Sequence, residues 1–210
     1  MNVEGRPDGK RPFGHASLFE YHQARLHKHV ANNQGSDAGF RLKPEECARL
    51  QLEALQYHHR YICLLQLEDY AAVVRDTERN LAVFAFVGKH AESEELAWSL
   101  QQFQPQLLMV LTRARGAQAL QSEDHAMAIQ HVEEGLEKIR AFYRETARSE
   151  SGDHSGEVHS LENWLEEIRA KKPLSRRERL EQALNEAVTR EDYEKAAQVR
   201  DELRNLKSAE

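Results

Sequence analysis

Apolar residues recur every three or four positions through most of the chain, which is the spacing typical of amphipathic helices. A first short helix is predicted from Ser17 to Val30, and a loop rich in Asn and Gly follows it. After Pro44 the pattern predicts two longer helices separated only by residues 66–69, where Asp69 is a good N-cap residue. The apolar faces of these helices contain Cys47, Leu50, Ala54, Tyr61 and Leu65, and then Tyr70, Val73, Val74, Thr77, Leu81, Phe84 and Ala85. So short a connection predicts a tight antiparallel pair.

A second helix pair is predicted after Gly88. Its first helix meets Pro105, and because proline inside a helix costs about 3 kcal/mol we expect a kink or a restart there. The apolar positions are Leu96, Leu100, Phe103, Leu107, Val110, Leu111, Ala114 and Ala117, and then Ile129, Val132, Leu136, Ile139 and Tyr143. Residues 148–157 have the composition of a flexible linker, and a connecting helix at 158–173 ends at Pro173. No segment shows the alternating pattern of a strand, so an all-α fold is predicted.

The paired helices resemble tetratricopeptide repeats, in which small residues lie where two antiparallel helices pack closely. The positions to compare are Gly116, Ala128 and Gly135 in the second pair and Tyr61, Val73 and Asn80 in the first. Only the second pair has small residues there, so the match is partial and an ordinary helical bundle is the alternative. Either arrangement gives an all-α domain of antiparallel helix pairs at 44–147, preceded by a polar N-terminal segment at 1–43.

Composition narrows the function. The chain has 29 Lys and Arg against 35 Asp and Glu, so its net charge of -6 gives no broad footprint for nucleic acid. Cys47 and Cys63 form no CxxC pair, which favours neither a disulfide framework nor a thiolate zinc site and points to reducing cytoplasm. The N-terminus lacks the apolar core of a signal peptide, and no apolar run is long enough to span a bilayer.

Catalytic motifs are also missing from the sequence. It contains no GxSxG, Walker-type phosphate loop, GxGxxG or HExxH, so we expect no enzymatic activity and no cofactor. Histidines His15, His22 and His29 share a seven-residue interval, which places them too far apart along a helix to bind one metal ion. No metal site is therefore predicted.

One basic cluster stands out at the start of the C-terminal segment, and it contains Lys171, Lys172, Arg176, Arg177 and Arg179. These side chains could contact phosphates, and any such binding would weaken steeply with salt. Acidic residues follow closely in the sequence, so strong autonomous DNA binding is not expected.

The C-terminal segment 174–210 carries the most specific signal, and it is predicted to be a helical hairpin. Ser175 and Glu178 form a capping box for the first helix, and Asp192 caps the second. The apolar stripe of the first helix is Leu180, Ala183, Leu184, Ala187 and Val188. The buried side of the second helix is predicted to be Tyr193, Ala196, Ala197, Val199, Leu203 and Leu206.

This hairpin resembles the UVR motif, which is found at the end of UvrB, within UvrC, and in regulators and adaptors of Clp proteases. The resemblance rests on Glu191-Asp192-Tyr193-Glu194-Lys195-Ala196-Ala197, then Val199-Arg200-Asp201, and finally Leu203 and Leu206-Lys207. It implies a protein-interaction element that binds a partner protein or a second copy of this chain. The implied partner contacts are Tyr193, Ala196, Ala197, Val199, Arg200, Asp201, Leu203 and Leu206.

Three functions remain open. The hypothesis that we favour is a non-catalytic adaptor, in which the helical domain holds one partner and the hairpin recruits another. The resemblance to UvrB and UvrC implies, as an alternative, an accessory factor that docks on nucleotide excision repair machinery. A Clp-protease adaptor or regulator is equally compatible, although the CxxC zinc modules of one such adaptor family are missing here.

Overall fold

The computed structural model describes residues 2–146, 155–173 and 176–207, and in the last range it describes the side chains of residues 179–204. The α-helices are α1 (Leu18–Asn32), α2 (Pro44–Gln66), α3 (Tyr70–His90), α4 (Glu94–Gln101), α5 (Gln104–Gln121), α6 (His125–Glu145), α7 (Gly156–Lys171), α8 (Arg176–Thr189) and α9 (Tyr193–Lys207). A single 3-10 turn at Pro12–Gly14 precedes them. Over the described ranges there is no β-strand, which confirms the all-α prediction.

The same Glu-Asp turn connects three helix pairs: Glu68–Asp69 joins α2 to α3, Glu123–Asp124 joins α5 to α6, and Glu191–Asp192 joins α8 to α9. In each turn the Glu has a left-handed backbone, with φ of 58°, 57° and 55°. The Asp side chain then accepts a hydrogen bond from the backbone N–H three residues later, at 3.2, 2.9 and 3.1 Å. Each connection is three residues long, and its Glu-Asp pair ends one helix and caps the next, so the paired helices lie antiparallel.

The restart expected at Pro105 is confirmed. Helix α4 ends at Gln101 and α5 begins at Gln104, so the proline occupies the second position of a new helix. A backbone N–H at that position would lack an intrahelical acceptor in any case, and the missing donor therefore costs nothing.

The core has two clusters. The first cluster contains side chains from all five helices α1, α2, α3, α4 and α5, and it includes the fully buried Leu42, Leu50 and Val73. The second joins α5, α6 and α7, and α7 contributes Val158, Leu161, Leu165 and Ile168. Residues 158–173 were predicted to form a connecting helix, and in the structure these four side chains bury one face of α7 in the domain core. Of the predicted linker at 148–157, residues 148–154 lie outside the described residues.

A buried ionic network holds the N-terminal segment against α2 and α3. Asp76 pairs with Arg60 at 2.6 Å, and both side chains are buried. The Nη1 atom of Arg60 also donates to the backbone carbonyls of Asn2, at 3.0 Å, and Gly5, at 2.8 Å. Glu53 accepts from the backbone N–H of Leu18 at 2.8 Å. Polar residues near the N-terminus thus belong to the packed structure of the helical domain.

The chain divides into two compact units, with the boundary between Arg169 and Ala170. The first unit is the helical domain that contains α1 to α6 and most of α7. The second unit contains α8 and α9 and includes the C-terminal hairpin.

Candidate protein-interaction site

Helices α8 and α9 form the predicted hairpin, and backbone hydrogen bonds define its turn. Glu191 N donates to the carbonyl of Val188 at 3.0 Å, and Asp192 N donates to that of Ala187 at 2.9 Å. These bonds satisfy carbonyls at the end of α8 that would otherwise lack partners. The capping residue Ser175, and the side chain of Glu178 that was predicted to pair with it, lie outside what the structure describes.

The hairpin seam, which we define as Ala187, Ala196 and Val199, is where the two helices pack. All three side chains are at least nine-tenths buried. Two of them are alanines, whose small side chains let the helix backbones approach closely. Ala183, on α8, and Leu203, on α9, are partly buried. The seam is small, and a pair of helices of 14 and 15 residues gains little stability from it alone.

The hairpin flank, which we define as Leu184, Val188, Tyr193 and Ala197, is a second apolar surface. Each helix advances about 100° per residue, so Leu184 and Val188 lie to one side of Ala187, and Tyr193 and Ala197 lie to one side of Ala196. Because α8 and α9 are antiparallel, these are the same side of the hairpin. Val188 is 52% exposed and Tyr193 is 69% exposed, so the flank presents apolar surface to solvent.

The structure corrects one predicted position. Tyr193 was predicted on the buried side of α9, but it is exposed, because it lies on the flank and not in the seam. Ala196 and Val199 are buried, as predicted for that side of the helix. Their assignment as partner contacts stays a prediction, and so does that of Leu203. The side chain of Leu206 lies outside the described residues.

Two charged residues of the predicted partner set are placed on the surface of α9. Arg200 and Asp201 are both exposed, and they form an ion pair at 3.1 Å. Such an exposed pair contributes roughly 0–1 kcal/mol to stability. Its value to a complex would be in orienting a partner.

The basic cluster is only partly described. Lys171, Lys172 and Arg179 are exposed, whereas the side chains of Arg176 and Arg177 lie outside the described part.

Histidine and cysteine placement gives no metal site in the described ranges. No three His, Cys, Asp or Glu side chains there lie close enough together to hold a metal ion. His22 is buried, and its Nδ1 atom lies 3.0 Å from Nη1 of Arg25. Burial lowers the pKa of His22. Such an imidazole is neutral at neutral pH and serves packing and hydrogen bonding.

Comparison with known proteins supports the hairpin assignment. The model of the UvrB/uvrC motif matches residues 175–209, which confirms the resemblance seen in the sequence. No curated protein matches the chain, and no solved structure does. The chain therefore carries a UVR motif, a protein-interaction motif, as the helical hairpin that follows an all-α domain. Among the helices that the structure describes, none is long and apolar enough to cross a membrane.

Sequence reasoning did not place Leu184 and Val188 on a candidate partner surface, although both lie on the hairpin flank. Both were placed on the apolar stripe of α8, but neither was assigned to a partner. The helical pattern was sufficient to find them. Small alanines occupy the contact between two closely packed helices, so the larger apolar residues lie outside that contact. The larger apolar residues beside those alanines are then left on an exposed surface.

Proposed function

We propose that this chain is a non-catalytic adaptor of the reducing cytoplasm, whose C-terminal hairpin binds another protein or a second copy of the chain. The observation that supports the proposal is the hairpin flank. A solvated tyrosine and a solvated valine lie near the turn of a hairpin whose motif is a protein-interaction motif. Aromatic residues are enriched in the centres of protein interfaces.

The energetics of the hairpin favour an interface on this surface. Its seam buries three small or medium side chains, and two short helices are marginally stable in water without further packing. Burying apolar surface stabilises by about 25 cal/mol per Å². Covering the flank would therefore stabilise the hairpin and the complex together.

Capture of partners by the full chain, compared with a chain that ends at residue 173, tests the proposal. We expect a partner, or a second copy, to be retained by the full chain and lost from the truncated one. Circular dichroism must show that the helical domain of the truncated chain remains folded. A truncated chain that retains the same partners would contradict the proposal.

The identity of the partner then separates the pathways. Binding to UvrB- or UvrC-type proteins would favour the accessory repair factor, and binding to a Clp-type ATPase would favour the protease adaptor. Intrinsic turnover of ATP or DNA by the purified chain, abolished by a point mutation, would contradict the non-catalytic assignment.

A further inference from the structure

A second candidate site lies in the helical domain. Helices α2, α3, α4 and α5, with the turn before α5, surround a cavity of about 270 Å³. Its inner wall is apolar and contains Ala54, Tyr61, Phe84, Leu100 and Leu107. These side chains belong to the packed core, so the cavity is formed by the fold and not by a surface loop.

The mouth of this cavity has two apolar side chains that the fold leaves exposed. Leu55 and Phe103 line the cavity, and each is 46% exposed. Exposed large apolar residues are ordinary when they are scattered singly. Here two of them lie at the opening of an apolar cavity, where they would extend the contact surface for a ligand that enters it.

The polar groups of the cavity are neutral. Gln51, His58, Asn80 and Gln106 line it, together with the apolar residues already named, and no Asp, Glu, Lys or Arg is among the lining residues. A charged ligand group would lose its hydration there without gaining a counter-ion. The lining therefore favours a neutral ligand.

Tyr61 and His58 form a hydrogen-bonded pair on the lining of the cavity. The Oη atom of Tyr61 lies 2.6 Å from Nδ1 of His58. Burial raises the pKa of Tyr61 to about 12 and lowers the pKa of His58, so a neutral hydroxyl and a neutral imidazole share this hydrogen bond. Whichever of the two groups donates in it, the pair keeps one further donor, either the ring N–H at Nε2 or the hydroxyl O–H. Both residues line the cavity, so that donor can serve a carbonyl oxygen of a ligand.

The size of the cavity limits the ligand. Pockets for drug-sized molecules are about 300–1,000 Å³, so a cavity of about 270 Å³ lies just below that range. A leucine or phenylalanine side chain is small enough to enter it, and the adjacent backbone carbonyl of a peptide could accept from the Tyr61–His58 pair. We propose that this cavity binds one neutral apolar side chain, of leucine or phenylalanine size, presented by a segment of a partner protein. This site is separate from the hairpin flank and does not depend on the function proposed for it.

Amide-resonance titration of the full-length chain tests the site with N-acetyl-leucinamide as the probe. We expect saturable shifts with millimolar affinity at Gln51, Leu55, His58, Phe103 and Gln106. The control probes are N-acetyl-glycinamide, which lacks the side chain, and the amide of N-acetyl-glutamate, which carries a charge. Equal shifts with either control, or no saturable shift with the leucine probe, would overturn the proposal.

A matched pair of variants separates the cavity from a general effect of charge. Leu55→Glu places a carboxylate at the mouth, whereas Leu52→Glu places the same charge on a neighbouring exposed position of α2 that does not line the cavity. Leu55→Glu should weaken probe binding by about tenfold or more, because the carboxylate must be desolvated beside the ligand. Leu52→Glu should bind as the wild type, and both should keep their helicity. Equal affinity in the two variants would overturn the assignment.

The hairpin supplies a further control. A chain with Tyr193→Asp should bind N-acetyl-leucinamide as the wild type does, even if it loses its protein partner. Loss of probe binding in that variant would overturn the independence of the cavity, whereas partner loss alone concerns only the hairpin.

Discussion

Gly135 of α6 lies directly against Thr112 of α5. A Cβ atom on Gly135 would clash with Oγ1 of Thr112 and would lie 2.5 Å from its Cγ2. Thr112 is buried and β-branched, so it has little freedom to move away. The absence of a side chain at residue 135 therefore sets how closely α5 and α6 approach.

Gly135→Ala should lower the free energy of unfolding by about 2 kcal/mol, because the added methyl group must push the two helices apart. Gly88→Ala is the matched control, since its Cβ would meet only the end of the flexible Gln101 side chain. That variant should change stability by less than about 1 kcal/mol, and the better helix propensity of alanine favours a gain. Urea denaturation followed by circular dichroism measures both, and equal losses would contradict the role assigned to Thr112.

The spacing of small residues predicted this close approach, but not all of its partners. Gly135 was identified from its position relative to Gly116 and Ala128 in the second helix pair. The Cβ position of Gly116, however, faces the ring of Trp164, at 2.7 Å from the nearest ring atom. That contact joins helices nearly fifty positions apart in the sequence. Local periodicity identifies which face of a helix is apolar, but it does not say which other element covers that face.

The hairpin shows the same limit. Its helices, its turn and its cap at Asp192 follow from local patterns, and all of them were predicted. The division between a buried seam and an exposed flank was not predicted. Tyr193 and Ala196 are both apolar and lie about one turn apart on one helix, so the sequence pattern does not distinguish them. Only the crossing of α8 and α9 decides that Ala196 is buried and Tyr193 is exposed.

Asp76→Ala should destabilise the helical domain by about 3–5 kcal/mol, because it leaves the buried guanidinium of Arg60 without its carboxylate. Glu137→Ala is the control, since Glu137 forms an ion pair of the same length, 2.6 Å, with Arg144 on the surface. Removing that exposed pair should change stability by less than about 1 kcal/mol. Similar losses in the two variants, measured by urea denaturation, would contradict the importance of burial.

Mild acid should destabilise the helical domain, partly through His90. Its pKa is lowered by burial and by nearby Lys89 and Arg41, while Asp37 opposes the shift. The unfolded chain thus takes up a proton at higher pH than the folded chain. The stabilisation is complete above about pH 6.5 and is lost as the pH falls through the lower folded pKa.

His90→Gln should therefore reduce the dependence of unfolding free energy on pH between about 7.5 and 5.5. Some slope should remain in this variant, because burial also lowers the pKa of His22 and His58. An unchanged slope in His90→Gln would show that this histidine does not contribute.

The turn of the hairpin should respond in opposite directions to two neighbouring substitutions. Glu191→Gly should stabilise the hairpin by about 0.5–1 kcal/mol, because glycine adopts the observed φ of 55° without steric cost. Asp192→Ala should destabilise it by about 1 kcal/mol, because the hydrogen bond to the N–H of Lys195 is lost. Hydrogen exchange of the α9 amides should be slower in the first variant and faster in the second. A change of the same sign in both would contradict the turn geometry.

Tyr193→Asp should weaken the partner association of the hairpin while leaving its helices folded. Tyr193 is 69% exposed on the flank, so the substitution removes little packing within the hairpin. A tyrosine at the centre of an interface contributes about 2 kcal/mol or more, so association should weaken by at least about 30-fold. Analytical ultracentrifugation measures self-association, and titration with a captured partner measures the heterologous complex.

Two further substitutions make that result specific. Gln198→Asp adds the same charge to an exposed position of α9 that faces away from the seam, and it should bind as the wild type. Leu203→Asp changes a partly buried residue beside the seam, so it should reduce both helicity and association, because a carboxylate is costly to bury. If Tyr193→Asp retains its helicity and binds as tightly as Gln198→Asp, the flank is not the partner surface. If association is lost only in Leu203→Asp, the partner needs the folded hairpin but not its flank. The hairpin would then bind through another face.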